Sequence, residues 1–292
     1  IVPSRHASSG WRALRKGLQR EAMDIARTPS TASGNPPMAD AAPPPHDPGL
    51  IRRADYRPYP WLVREVALDF ALDLRATRVT ARLSVAPNPA AEPAASIRLD
   101  GDGLEPLSVM VDGVPAAGWR MDGPDLIVPL SHAAHEIAIV TRIDPAANTK
   151  LLGLYASNAM LCTQCEAEGF RRIAFFPDRP DVLATWRVRL EADRDAFPVL
   201  LSNGNLVAEG ALDGGRHFAE WHDPWPKPSY LFALVAGDLV ATRDSFTTAS
   251  GREVACAIWV RAGDEGRTAH AMASLKAAMR WDEEVYGREY DL

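Results

Sequence analysis

The chain has 292 residues, 47% of them apolar and 24% charged, and a formal net charge of -6. That is apolar material enough for one large or two ordinary cores, while the acidic balance argues against a nucleic-acid or anionic-membrane partner, either of which needs a concentrated excess of Lys and Arg. Three cysteines do not make a disulfide framework in a chain this long and fit a reducing, cytoplasmic compartment, and no apolar run approaches the length of a membrane-spanning helix.

Residues 1–49 are rich in Ala, Pro and Ser, include PSTASGNPP and AAPPPHDPG, and read as a disordered extension. Within it, Trp11 to Arg27 has the pattern of a short basic helix, but Glu21 and Asp24 are unusual for a targeting peptide, and Met38 is a reasonable start. From Leu62 the pattern changes to period two. Val66, Leu68, Phe70, Leu72 and Leu74 alternate with Glu65, Asp69 and Asp73, then Val79, Leu83 and Val85 with Arg78, Thr80, Arg82 and Ser84, which predicts a half-buried antiparallel hairpin. Further strands are predicted at Ile97–Leu99, Leu107–Val111 with an Asp112-Gly113 turn, Leu126–Leu130 and Glu136–Ile143.

Trp186, Val188 and Leu190 resume the alternation. Val199–Leu201, an Asn203-Gly204 turn, Leu206–Glu209 and His217–Trp221 are expected to extend the same sheet system. Tyr230–Val235 is almost continuously apolar, as for a strand buried on both faces. Past Gly237-Asp238 the pattern predicts a hairpin around Ser250-Gly251, a strand Val254–Val260 and an amphipathic helix Thr268–Tyr286 with Met272, Leu275, Met279 and Tyr286 as core contacts. The fold class is therefore mainly β: an antiparallel β-sandwich over residues 50–238, then a second unit over 239–292 that opens with a hairpin and a helix.

Several residue groups carry possible chemistry. Cys162-x-x-Cys165 has no second pair to complete a zinc site and flanks that read as strands, so two half-buried thiols are expected. His132-Ala133-Ala134-His135-Glu136 has its histidines three apart, and His217 and His222 fall on opposite faces of a strand, so neither is read as a metal site. Asp178, Arg179 and Asp181 among prolines read as a structural ion-pair corner, and Trp221, Trp225 and Tyr230 as a rigid aromatic corner. Gln164 and Glu166, two apart, would share a face of an extended strand, and Glu168 would join them if the strand continued; on the residues alone a solvated acidic turn is the alternative.

The run Cys162–Arg171 (CTQCEAEGFR) with Pro177-Asp178-Arg179-Pro180-Asp181 closely resembles the zinc aminopeptidase N family in its bacterial form. The resemblance continues through LSNGN at Leu201–Asn205, WPKP at Trp225–Pro228, YLFALVAG at Tyr230–Gly237, TTASGRE at Thr247–Glu253 and WDEE at Trp281–Glu284, from about Asp55 to Leu292. It implies a zinc-dependent enzyme removing N-terminal residues from peptides, a monomer, with the second unit, 239–292, the incomplete start of a thermolysin-like α+β catalytic domain. It also implies roles for two residues: Glu166 binds the substrate's α-amine and Gln164 contacts its first residue. The family's H-E-x-x-H helix and G-A-M-E-N loop are not in these residues, so no catalytic or zinc-ligating residue is expected here and the chain alone is expected to be inactive. The alternative is a non-catalytic β-sandwich binding or scaffold module.

Overall fold

The computed structural model of the chain describes residues 53–292, so the extension expected over residues 1–49 lies outside the described residues. The period-two pattern after Leu62 builds β1 (Trp61–Ala71), paired antiparallel with β2 (Thr77–Pro87). Val66, Leu68, Phe70 and Leu72 are buried as their spacing predicts. A bulge between Val63 and Glu65 resets the parity, so Trp61 and Val63 reach the same core.

Short strands follow: β3 (Ser96–Leu99), β4 (Pro106–Val111), β5 (Val114–Pro115), β6 (Arg120–Asp122), β7 (Asp125–Pro129) and β8 (His135–Ile143). Asp112 and Gly113, between β4 and β5, have φ of 52° and 77°, the paired left-handed conformations of a tight hairpin turn that Asp and Gly accept. Next come β9 (Gly153–Ser157), β10 (Met160–Gln164), β11 (Ala184–Asp193), β12 (Val199–Ser202), β13 (Asn205–Ala211), β14 (Arg216–Lys227) and β15 (Leu234–Gly237).

These strands form an eight-stranded sheet in the order β13-β14-β11-β1-β2-β8-β4-β5, a four-stranded sheet β12-β15-β10-β9 and a three-stranded sheet β3-β7-β6. The pairing is antiparallel with one departure among the described strands: β1 and β11 run parallel at the centre of the large sheet, from Glu65 opposite Thr185 to Ala71 opposite Glu191. The Asn203-Gly204 turn also differs from expectation, because β12 and β13 enter different sheets. Asn203 is the reason: its amide donates to Leu231 O at 3.1 Å and its oxygen accepts from Ala233 N at 2.7 Å, tying the turn to the segment before β15. Tyr230–Val235 is not one strand. Pro228 cannot donate to a ladder, Ser229–Leu231 coils into a 3-10 turn with Leu231 exposed, and the strand begins only at Leu234.

One core joins the sheets. Phe170 sits edge-on to Phe176, Trp186 and Phe232, each at 5.3 Å between centroids, and Phe232 stacks on Phe70 at 6.1 Å. Beyond Asp238, β16 (Val240–Thr247) and β17 (Glu253–Val260) form a hairpin against which α1 (Ala269–Tyr286) packs, with a separate small core of Phe246, Val254, Cys256, Met272 and Met279. Gly287, at φ 63°, closes the helix by donating to Asp282 O and Glu283 O. Leu275 and Tyr286, expected in this core, are exposed: two strands cover only a narrow stripe of the helix, and Tyr286 packs on Trp281 instead. Among the described residues no helix is long and apolar enough to cross a membrane.

Candidate functional site

The acidic run after β10 forms a turn rather than more strand. The strand stops at Gln164, Gly169 N donates to Cys165 O at 2.8 Å, and a cis peptide joins Glu166 to Ala167. Gly169 is required where it stands, since a Cβ there would come within 2.3 Å of Gln164 O. Phe170, the next residue, is fully buried and anchors the turn in the aromatic core. The expectation that Gln164 and Glu166 share a strand face is thus corrected; they meet through the turn, Gln164 Nε2 donating to Glu166 O at 2.9 Å.

Beside the turn lies an open pocket of about 360 Å³, lined by Glu166, Ala167, Glu168, Asp178, Arg179, Pro180, Ser229 and Tyr230. Gln164 is exposed next to it but is not part of its wall. Glu168, read from the sequence as a neighbour, does line it, and its signal was the E-x-E spacing just ahead of the turn-forming Gly169.

The pocket wall is fixed by Asp178, whose side chain is only 2% exposed. It accepts from Arg171 N and Arg171 Nε, each at 3.1 Å, and from Ser229 Oγ at 2.5 Å, while its own N–H donates to Asp100 Oδ2 at 2.8 Å. Burial pushes Asp100 above the ordinary carboxylate range. Burial alone would lower Arg171, but the Asp178 hydrogen bond and the charges of Asp100, Asp178 and Glu168 outweigh it and hold the guanidinium above its usual value. Arg179 forks onto Asp181 at 2.8 and 2.7 Å and also donates to Arg57 O, so Asp178, Arg179 and Asp181 are the structural corner their sequence predicts.

This leaves the two glutamates unlike one another. Glu168 pairs with Arg171 Nη2 at 3.4 Å. The exposed carboxylate of Glu166 is engaged by no hydrogen bond or ion pair among the described residues, and the nearby cations are already committed to other carboxylates. A free anion in a pocket whose own cations are neutralised suits an incoming cation.

Cys162 lies half-buried on β10 and Cys165 is buried behind the turn, where desolvation and then the charge of Asp178 push its thiol up. His132 is exposed, whereas His135 faces Asp112; His217 Nε2 lies 2.7 Å from Phe197 O. Among the described residues no three His, Cys, Asp or Glu side chains gather as a metal ion would require.

The Peptidase M1 N-terminal domain family matches residues 122–231. The aminopeptidase N of Caulobacter vibrioides is 53% identical over 248 residues, 84% of this chain and 28% of the relative, and that of Escherichia coli is 48% identical over 240 residues, 82% and 27%. The chain thus spans little more than a quarter of the length of these relatives. Among solved structures, Legionella pneumophila aminopeptidase A in complex with aspartic acid superimposes with a TM-score of 0.77 at 33% identity, over 82% of this chain and 28% of that one. An M1 zinc metallopeptidase from Deinococcus radiodurans shares the fold at a TM-score of 0.64, 16% identity, over 77% and 54%. Sequence and fold together establish that the chain belongs to the aminopeptidase N family of M1 peptidases, over the part of their length that holds the N-terminal domain.

Proposed function

We propose that the complete protein is a zinc-dependent aminopeptidase that hydrolyses N-terminal residues from peptides, and that this part of it recognises the substrate's α-amine through Glu166. The free carboxylate of Glu166 in a pocket with neutralised cations is the observation that carries the reading. An exopeptidase must hold an ammonium at a fixed distance from the scissile carbonyl, and a charge-assisted hydrogen bond to a carboxylate on a rigid turn does so. Gln164, its amide nitrogen committed to Glu166 O, keeps its side-chain oxygen for the first substrate residue.

Zinc enters at the level of the family, to activate water and polarise the scissile carbonyl. The part proposed for this chain is to position the substrate. The boundary near Asp238, with residues 239–292 opening the catalytic domain, is part of the proposal and is supported by the separate core under α1. So are a monomeric state and a cytoplasmic location, the latter resting on cysteine usage. The test compares Glu166→Gln with Glu168→Gln in the complete enzyme, on peptides with free and with acetylated N-termini. Equal losses for the two variants would remove the amine-binding role and return the turn to a structural one.

A further inference from the structure

Away from the amine pocket, the β7–β8 loop and the β4–β5 turn bring three polar side chains into line. Asp112 Oδ2 lies 2.7 Å from His135 Nδ1, and Ser131 Oγ lies 2.9 Å from His135 Nε2. We propose that Ser131, His135 and Asp112 act as nucleophile, general base and orienting carboxylate, giving this face of the domain an acyl-transfer activity toward small activated carboxylic esters that is separate from the peptidase reading.

The geometry meets the two distances such a set needs, nucleophile to base and base to orienter. Asp112 is pinned at both ends: its N–H donates to Glu136 O at 2.8 Å and its Oδ1 accepts from Glu136 N at 2.9 Å. Its other oxygen is therefore fixed on His135 Nδ1, which places the ring proton there and leaves the Nε2 lone pair facing the Ser131 hydroxyl. The Glu136 N–H and His135 also hold the Asp112 carboxyl below its ordinary range, so it stays ionised. His135 opens β8 with a side chain only 12% exposed, whereas Ser131 is exposed and open to a substrate. Ser131 O, 3.2 Å from Nε2, is placed to accept from the imidazolium once the ring is protonated.

In the first step Ser131 Oγ bonds to the acyl carbon while its proton moves to His135 Nε2; the ester C–O bond breaks and the departing oxygen takes that proton. Water then attacks the acyl-serine, giving its proton to Nε2, and release of the carboxylic acid returns the Ser131 hydroxyl. The proposed activity is confined to esters whose leaving group departs readily, hence small aryl esters.

The experiment uses the chain with excess chelator, so that zinc-dependent hydrolysis is silent, and two probes: p-nitrophenyl acetate and a fluorophosphonate label mapped by mass spectrometry. The expected result is one phosphonylated residue, Ser131, with hydrolysis and labelling falling by roughly 10²-fold or more in Ser131→Ala and His135→Gln. Asp112→Asn keeps a residue suited to the left-handed turn and should slow both reactions while leaving the melting temperature near the parent's; it decides the matter if His135→Gln does not fold. Absence of label at Ser131, labelling indifferent to Asp112→Asn, or hydrolysis retained by Ser131→Ala through direct attack by a histidine would each overturn the proposal.

Discussion

Ser229 Oγ donates to Asp178 Oδ1 at 2.5 Å, fastening the wall of the pocket beside Glu166 to a turn fifty-one residues further along the chain. Asp178 also holds the backbone N–H and guanidinium of Arg171, so its removal takes the buried acceptor from both, leaving the Arg171 charge to Glu168 and Asp100, and leaves the Ser229 hydroxyl unpaired. Asp178→Ala is predicted to cost about 2–3 kcal/mol, the loss of an acceptor for several partly buried donors, and Ser229→Ala about 1 kcal/mol, read from urea denaturation midpoints. A midpoint for Asp178→Ala within that of Ser229→Ala would show that the network is not what holds the corner.

In the complete enzyme proposed above, Glu166→Gln keeps shape and removes charge. Loss of one charged hydrogen bond is expected to lower kcat/KM on free peptides by about 10- to 150-fold, equivalent to about 1.5–3 kcal/mol. Glu168→Gln, whose partner is Arg171, should cost far less. The gap between free and N-acetylated peptides should narrow for Glu166→Gln alone.

Thiol chemistry gives an independent check on the turn. The thiolate is the reactive form, and burial pushes Cys165 away from it, while Cys162 is only half-buried on β10. A thiol reagent at neutral pH should modify Cys162 first and Cys165 only as fast as the protein unfolds. Rapid modification of Cys165 in the folded protein would mean that the turn behind Glu166 opens readily.

Asp181 supplies a pH signature. The Arg179 hydrogen bonds, against the opposing effect of partial burial, and the Tyr56 hydroxyl at 2.9 Å hold its carboxyl below the ordinary value. A folded-state value below the unfolded one gives stabilisation that is complete above the unfolded value of about 3.9 and is lost as pH falls through the folded value. The melting-temperature difference between parent and Asp181→Asn should therefore be steady near neutral pH and shrink below about pH 4. A difference that persists in acid would assign the contact to packing.

Alternation made the strands legible, because burial of one face imposes period two on residues such as Val66, Leu68 and Phe70. It could not show that β1 lies parallel to β11, since nothing local to Glu65 specifies Thr185 as its partner. The helix α1 was legible as a helix, but periodicity gives a stripe and not the width of what covers it, hence the exposure of Leu275 and Tyr286. Glu166 and Gln164 were singled out through resemblance, whereas their geometry was not, because Gly169 turns the chain where extended spacing assumed a strand. Asp112 was read only as a turn residue; its line to His135 and Ser131 needed the β4–β8 pairing to bring it there.

The parallel pairing of β1 and β11 also bears on how the chain is made. Everything from β2 to β10 lies between the two strands, so during synthesis β1 and β2 emerge first and wait with an unpaired edge until β11 has left the ribosome. Non-local pairing of this kind is slow to form, and the central seam of the large sheet closes late. The nascent chain therefore carries a hazard of sticking to a neighbour while β2 to β10 are being made, when the apolar residues of β1 are out and their cover is not.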